Sequence, residues 1–594
     1  MWKKNFAGHV AFYPPSRIGG VLVTSRGYAA SRCLTVQNVM GETKMFRKNL
    51  ILVAALLAGT SVSALAQTVT PLTNGPPFDG VVYGFLLTDG SILYQGGLLN
   101  DWYRFRPDKT GSYVNGTYYP AAGLPPDYIP YATSGGVLPD GRVLLIGGEY
   151  LLLSETNLAF ELTNKMAIYD PKKETWTEIK PPKGWGFIGD SPWTMLADGR
   201  LLLGDKVDKR AAVLDTTTLT WTEVSTAGKR DFNAEEGWTL LPDGSVLTID
   251  VKDHPHAERF IPNADPTQTQ WVNAGTTPGN LQATLTNADK SIPYDNGKKI
   301  YYPPGEIGPA ILRPDGSVFA TGAVCAATGS GPTGCQVVTT VGHTAIFDIG
   351  LGGTAPSAPW RAGPDFPNGE GAGDSFANLL PNGHVLVETN PAGTLNDALT
   401  RYSRIAKRVI HPKVAMAGLQ AAATPTWHFY EFDGANLIYE PNADFIGGQA
   451  STLLLPTGEV MLNGQAVYAT TGSYAPSWAP EITHAPVDVA PGGSYEIFGT
   501  QFTGLSQANA FGDEFAIATN YPLVRITNSA TGDVTYARTH HFSSGVATRD
   551  KIVSTRFDVP KTIERGPSTM VVVANGIPSR PVNINVGALE ASAD

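Results

Sequence analysis

Asp190, Glu235, Asp374 and Gln449 each stand eight residues before the Asp, Asn or Thr of a repeated tight turn, and Glu236 and Glu306 lie one position to either side of that place. Acids that recur at one structural position converge when the elements bearing them are arranged around an axis. Crowded carboxylates share protons, which raises some of their pKa values and suits acid–base catalysis, or they are bridged by a cation. Glu235, Asp190 and Asp374 are therefore the first candidates for a catalytic acid and base, with Glu306 as an alternative. Glu236 and Gln449 are candidate ligand-binding neighbours. The same acids suit Ca2+ or another divalent cation; the bland alternative is that they accept backbone hydrogen bonds or solvate a channel.

Other constellations are weaker. Asp253-His254-Pro255-His256-Ala257-Glu258 places His254 and His256 at a His-x-His spacing, a weak candidate for a transition metal against the commoner reading of a solvated loop. His343 opens an apolar strand and reads as half-buried. Tyr131, Trp185, Phe187, Trp193, Trp238 and Trp427 lie near the same face as the acids; exposed rings beside carboxylates suit sugars, whose C–H faces stack, although tryptophans in repeats of this kind are usually core. Gly329-Ser330-Gly331-Pro332-Thr333-Gly334 fits Gly-x-Gly-x-x-Gly but has no helix after it, so it is not a nucleotide site. Neither Gly-x-Ser-x-Gly nor His-Glu-x-x-His occurs, so serine hydrolase and zincin chemistry lack sequence support.

The elements that position these residues are set by seven copies of one phrase, apolar-x-Asp/Asn/Thr-Gly-x-apolar: Leu87–Gly90, Leu138–Gly141, Leu196–Gly199, Leu241–Gly244, Arg313–Gly316, Leu380–Gly383 and Leu455–Gly458. Each joins two short strands through a hairpin whose Gly supplies a positive φ. Second strands often end in Gly pairs, as at Gly147-Gly148, and Tyr169 precedes Trp176 by seven residues, a separation repeated in Leu214 and Trp221. That pattern resembles the kelch repeat. Seven four-stranded units imply a seven-bladed β-propeller, which removes exposed sheet edges by radial closure.

After Pro480 the pattern changes to short alternating strands that read as an Ig-like β-sandwich. The expected organisation is all-β: a kelch-like propeller over 67–480 and an Ig-like domain over 481–594. Over roughly 75–587 the chain resembles galactose-oxidase-like proteins with their C-terminal early-set domain. In such blades the Asp-Gly turns are short and lie on one face, while the long connections here, 148–165, 251–257, 323–342 and 390–426, lie on the other; function is expected there, with the candidate acids around its central mouth.

The resemblance implies a copper centre with a Tyr-His pair, a cysteine-crosslinked tyrosine and a histidine from the C-terminal domain. Gly448-Gln449 stands where the Tyr-His pair belongs, Asp190 where the crosslinked tyrosine belongs, and no cysteine lies near Ser134-Gly135-Gly136. Only His540 or His541 matches the remaining ligand. Cu(II) prefers nitrogen-rich sites, so copper is disfavoured and no cofactor is assigned.

Composition agrees with turn-dense β-structure: 594 residues with 65 Gly, 10% aromatic and only 16% charged residues. Met45-Phe46-Arg47-Lys48, the apolar stretch 50–62 and Ala64-Leu65-Ala66 read as a signal peptide over 45–66, and 1–44 as an over-extended start. Eight of the 43 basic residues and one of the 53 acids precede residue 67, leaving 35 against 52 and a net charge near −17. Nucleic acid is therefore excluded as a partner. The expected product is exported, periplasmic or extracellular, without a transmembrane segment and monomeric. Cys325 and Cys335, ten residues apart, would pair in an exported chain, with free thiols or a metal pair as the alternative. The leading expectation is a propeller that binds, and processes through its carboxylates, a carbohydrate or cell-wall polymer; a non-catalytic interaction module and a metal-dependent oxidase are the alternatives.

Overall fold

In six of the seven repeated turns the Asp or Asn side chain accepts the N–H two residues on, as Asp89 does from Ser91 and Asn382 from His384. The Gly that follows has φ between 74° and 88° in all seven. These hairpins couple the two inner strands of each blade, because a short polar side chain closes the turn and only Gly takes the left-handed step without a Cβ clash.

The computed structural model describes residues 67–587 except 78–80, 97–99, 155–156, 285–289, 294–298, 303–304, 325–340, 350–358, 391–425, 447–449 and 514. The protein is all-β and contains a seven-bladed propeller. Blades 1 to 6 span residues 81–121, 134–179, 193–223, 239–276, 310–362 and 377–439. Blade 7 is built from Thr452–Leu454, Val460–Leu462 and Ala466–Ala469, and its fourth strand is Thr68–Pro71 from the other end of the ring, paired antiparallel from Thr68 opposite Ala469 to Pro71 opposite Ala466. That pairing closes the circle with hydrogen bonds between segments about 400 residues apart in sequence. The sequence left this closure undetermined.

The tryptophans at the repeated spacing are packing residues, and Trp176, Trp221 and Trp360 also donate to the carbonyls of Ala122, Lys180 and Ala274 beside or in the preceding blade. Trp176 lies against Tyr169 and Trp102 of the preceding blade, and Trp271 against Phe260 and Trp238. Residues 150–160 form an added hairpin, Tyr150–Ser154 with Asn157–Phe160, which pairs with Pro130–Tyr131. Cys325 and Cys335, like Gln449, lie outside the described residues.

Residues from Glu481–His484 to Val582–Val586 form a curled C-terminal β domain over one apolar core containing Ile497, Phe557, Met570 and Val572. Val534–His540 hydrogen-bonds on both sides, to Leu523–Asn528 and to Val553–Asp558, so the strands follow one continuous path. This domain covers the turn face of the propeller: Thr88 donates to the Thr539 carbonyl, Arg538 to that of Asp140 and Ser544 to that of Leu196. Propeller and C-terminal sheet belong to one compact unit, Ala64–Asp594. Among the described residues no helix is long and apolar enough to cross a membrane.

From the C-terminal domain a loop runs up the propeller axis. Gln507 accepts from the Leu240 amide (2.8 Å) and donates to Thr194 (2.9 Å), Asn509–Ala510 pairs with blade 6 at Ala377 and Asn378, and Asn509 donates to the Thr452 carbonyl (3.1 Å). Innermost strands of blades 3, 4, 6 and 7 thus all bond to one segment. The fit is tight: a Cβ at Gly237 would lie 2.4 Å from the Gly512 carbonyl oxygen. Phe515 packs among Tyr83, Phe511, Phe376 and Tyr131 at centroid distances of 4.8 to 6.4 Å. Phe515→Ala should cost about 3–5 kcal/mol of stability in urea unfolding; a loss below about 1 kcal/mol would show that the loop is not anchored through this ring.

Candidate functional site

Lys206 follows the second strand of blade 3, Leu201–Gly204, and its ammonium is fully buried. Three carboxylates surround it: Asp190 Oδ2 at 2.6 Å, Glu235 Oε2 at 2.8 Å and Asp513 Oδ2 at 2.9 Å. Asp190 precedes the inner strand of blade 3, Glu235 that of blade 4, and Asp513 sits in the axial loop one residue after Gly512. An ammonium has three donors, and this arrangement gives each one an acid.

Further acids crowd the same centre. Burial raises Glu306 well above the usual carboxylate range, reinforced by Asp374, Glu235 and Asp513. Burial also raises Asp374 to about 6; Asp513 adds to the shift, and a hydrogen bond with Glu306 holds it back. Glu235 is raised well above its ordinary value by burial, against the pull of Lys206, with Asp513, Asp190 and Glu149 adding to the rise. Asp190 is raised by burial, opposed by Lys206, and its Oδ1 is buried without a hydrogen bond among the described residues. One cation cannot neutralise this many acids, so the uncompensated charge adds to burial in raising their pKa values. Glu235, Glu306 and Asp374 are partly exposed, whereas Asp190 and Asp513 are buried.

The expected convergence of Asp190, Glu235, Glu306 and Asp374 is what the structure shows. Glu235 and Asp374 have φ of 59° and 50°, and Ala132, at the matching place in blade 2, has 52°. A left-handed step before the innermost strand is thus a recurring blade feature. Glu236 goes elsewhere. It is fully buried and bonds Lys229 at 2.9 and 3.0 Å, in a second ammonium-centred cluster with Glu258 (3.1 Å) and Asp250 (4.0 Å). Burial opposes the charge of Lys229, but Glu236, Asp250 and Glu258 outweigh it and hold its pKa above the ordinary value.

Several expectations are corrected. His540 and His541 do not reach the mouth: their rings meet one another, His540 Nε2 lies 3.1 Å from Asp558 Oδ1, and their strand borders the turn face. The C-terminal residue that does reach the axis is Asp513. Tyr131, Trp185, Trp193, Trp238 and Trp427 are buried and offer no open face to a sugar, and Phe187 is half-buried against the small cluster of Leu162, Val207 and Ala234. Of the His-x-His pair only His256 joins an acid cluster, with Nδ1 2.5 Å from Asp250; the neighbouring Lys229 already supplies positive charge there. His343 pairs with Asp365 at 2.8 Å near the surface.

The copper implied by the resemblance does not fit these residues. The point where Asp190, Glu235 and Asp513 oxygens converge is filled by the Lys206 ammonium, and Asp190 stands where a phenol would be required. Among the described residues no imidazole enters this group. For the same reason a divalent cation at these three oxygens would have to displace Lys206.

Lys206 and Asp513 were missed in the sequence. Lys206 follows Leu201-Leu202-Leu203-Gly204-Asp205 at a place where the other blades carry uncharged residues, Gly97, Gly148, Val251, Ala323, Asn390 and Gln465, and Asp513 sits in Phe511-Gly512-Asp513-Glu514-Phe515. A charge set directly beside such apolar runs was the available signal.

No sequence-family profile matches the chain, and no curated protein matches it. Among solved structures it is similar to a copper-bound fungal alcohol oxidase of the AA5 family, a galactose-oxidase-like enzyme (14% identity over 86% of this chain and 98% of that one, TM-score 0.41). It is also similar to the hydrazine synthase of Kuenenia stuttgartiensis (13% identity, 67% and 97%, TM-score 0.34) and to an inactive virginiamycin B lyase of Staphylococcus aureus (10% identity, 57% and 94%, TM-score 0.26). At such identities the likeness concerns the fold alone.

Replacing Lys206 by Met keeps the side-chain volume and removes the charge. The variant should lose about 3–5 kcal/mol at pH 7, the usual cost of stripping one partner from a buried ionic cluster. Its carboxyls would then have folded pKa values raised further above the unfolded ones near 4. Their stabilising contribution is present below that value and is lost as pH rises, so part of the deficit should be recovered at pH 5. Equal deficits in urea unfolding at both pH values would assign Lys206 a packing role instead.

Proposed function

We propose that the axial mouth is an acid–base centre that binds and processes a polyhydroxylated ligand, a carbohydrate or wall-polymer segment, in an exported protein. The observation that carries this reading is the pairing of partly exposed Glu306 and Asp374, two interacting carboxyls whose pKa values burial raises, beside Glu235 and the Lys206 ammonium. Two carboxyls sharing one proton can take a proton from a hydroxyl or water with one oxygen and deliver one to a leaving oxygen with the other. Glu306 is the proton-carrying member, Asp374 the base, and Glu235 a second acid.

Lys206, Asp190 and Asp513 play a positioning part. They hold Glu235 at the mouth and fix the local potential, because their charges are buried where water screens little. The carboxyl chemistry requires no metal, though Ca2+ bound by the outer acids is compatible with it. We read the C-terminal domain as an Ig-like brace and the blades as kelch repeats, which leaves the long-loop face open to ligand.

The test is product analysis after incubating the full chain with a panel of oligosaccharides. Asp374→Asn and Glu306→Gln should each lower turnover about 100-fold or more. Activity of the unaltered protein should rise as pH passes through about 6, where Asp374 ionises, and Asp374→Asn should abolish that limb. Retention of a sugar without product would leave a binding module, and unchanged turnover in both variants would remove the acid–base assignment.

A further inference from the structure

Beside the axial acids the same face carries a cavity of opposite character. Its volume is about 500 Å3, and it is lined by Lys209, Arg230, Asp231, Phe232, Lys252 and Asp253. Two of the three loops that build it also feed the axial cluster: Lys209 lies three residues after Lys206, and Phe232 three before Glu235.

The two acids in this lining are already committed. Asp231 accepts the amides of Phe232 (2.7 Å), Lys252 (2.5 Å) and Asp253 (2.9 Å), which folds the loop, and Asp253 pairs with Arg230 at 2.7 Å. The cations are less fully matched. Lys209 Nζ donates to the carbonyls of Arg230 (2.7 Å) and Lys229 (3.5 Å), neither of which carries charge. Lys252 Nζ rests 4.5 Å from the centre of the Phe232 ring, with no carboxylate at ion-pair distance among the described residues. The cavity therefore joins a surplus of N–H donors to one half-buried aromatic ring, on a chain whose acids outnumber its bases by 53 to 43.

We propose that this cavity is an anion subsite that seats the carboxylate of an acidic sugar, so that the glycan presented to the axial acids is uronate-bearing. The inference rests on the carbohydrate reading above and names its substrate class. A neutral sugar has no use for ammonium groups that lack a carboxylate at ion-pair distance, whereas a uronate is repelled by the crowded axial carboxylates and needs compensating cations close by. Charge-assisted hydrogen bonds from Lys209 and Lys252 supply that compensation, and the Phe232 ring offers the apolar contact for the C–H face of the ring. The volume is within the range of ordinary ligand pockets.

The experiment is calorimetric titration of the full chain with an oligouronate and with the same oligosaccharide after reduction of its carboxyls to alcohols, at low and high salt. The oligouronate should bind about tenfold or more tightly than the reduced form, in line with the strength of hydrogen bonds to charged groups, and the advantage should shrink at high salt. Lys252→Glu, an exposed substitution, should erase the preference. Equal affinities for the two oligosaccharides, or a preference that survives Lys252→Glu, would overturn the subsite while leaving the axial reading intact, because the reduced form would still bind. Failure of both oligosaccharides to bind would overturn the subsite and the carbohydrate reading together.

Discussion

A buried ammonium sets the terms for the centre of this protein. Taking a lysine charge out of water costs several kcal/mol unless its donors are met by acceptors of opposite charge in good geometry. Lys206 meets that requirement only because three chain segments far apart in sequence arrive together: Asp190 and Glu235 before adjacent inner strands, and Asp513 in the loop that climbs the axis. Each arrival depends on a different part of the fold. Ring closure by Thr68–Pro71 fixes the blade positions, and the contacts of Gln507 and Asn509 fix the height of the loop. The cluster is a consequence of the whole architecture, and the surplus of acid over one cation adds to burial in raising the pKa values of Glu306 and its neighbours.

The division of labour between the two faces follows from the same architecture. On one face the seven turns are short and internally hydrogen-bonded, and those of blades 1 to 3 bond to the C-terminal domain. Their carboxylates are occupied with backbone amides or with neighbouring arginines, as in the pairing of Asp243 with both the Ser245 amide and Arg259. The other face carries the connections between second and third strands, and there the ionisable groups are crowded and partly exposed.

Much of this was legible from residue types. Six Asx-Gly turns and one Thr-Gly turn read directly as seven hairpins, since the turn chemistry is local and depends on four residues at a time. The convergence of Asp190, Glu235 and Asp374, with Glu306 one position removed, was also legible, because equal offsets from equivalent turns become equal heights around an axis. What escaped was set by long-range packing. Nothing local to residues 501–521 announces a loop that climbs through a propeller, so Asp513 could not be matched to the mouth, and His540 looked the better choice by residue type alone. The aromatics failed for a related reason: Trp193 and Trp238 precede or begin inner strands as the acids do, yet their rings turn into the gaps between blades, where burial of a large ring outweighs any use at the surface.

The sharpest case of backbone deciding chemistry is the pair Glu235 and Glu236. These neighbours have the same side chain and both are drawn to a lysine, yet they serve different clusters, Lys206 for one and Lys229 for the other. Glu235 sits at φ 59°, a left-handed step that redirects the chain just before the inner strand of blade 4. Such a conformation costs a non-glycine residue of order 1 kcal/mol, and two buried ion clusters on either side offset it. The consequence is a junction of blades 3 and 4 braced electrostatically from both sides, which keeps Glu235 at the mouth whatever its own proton does. A catalytic acid that must lose and regain a proton needs such external support, because it cannot rely on its own charge to stay in place.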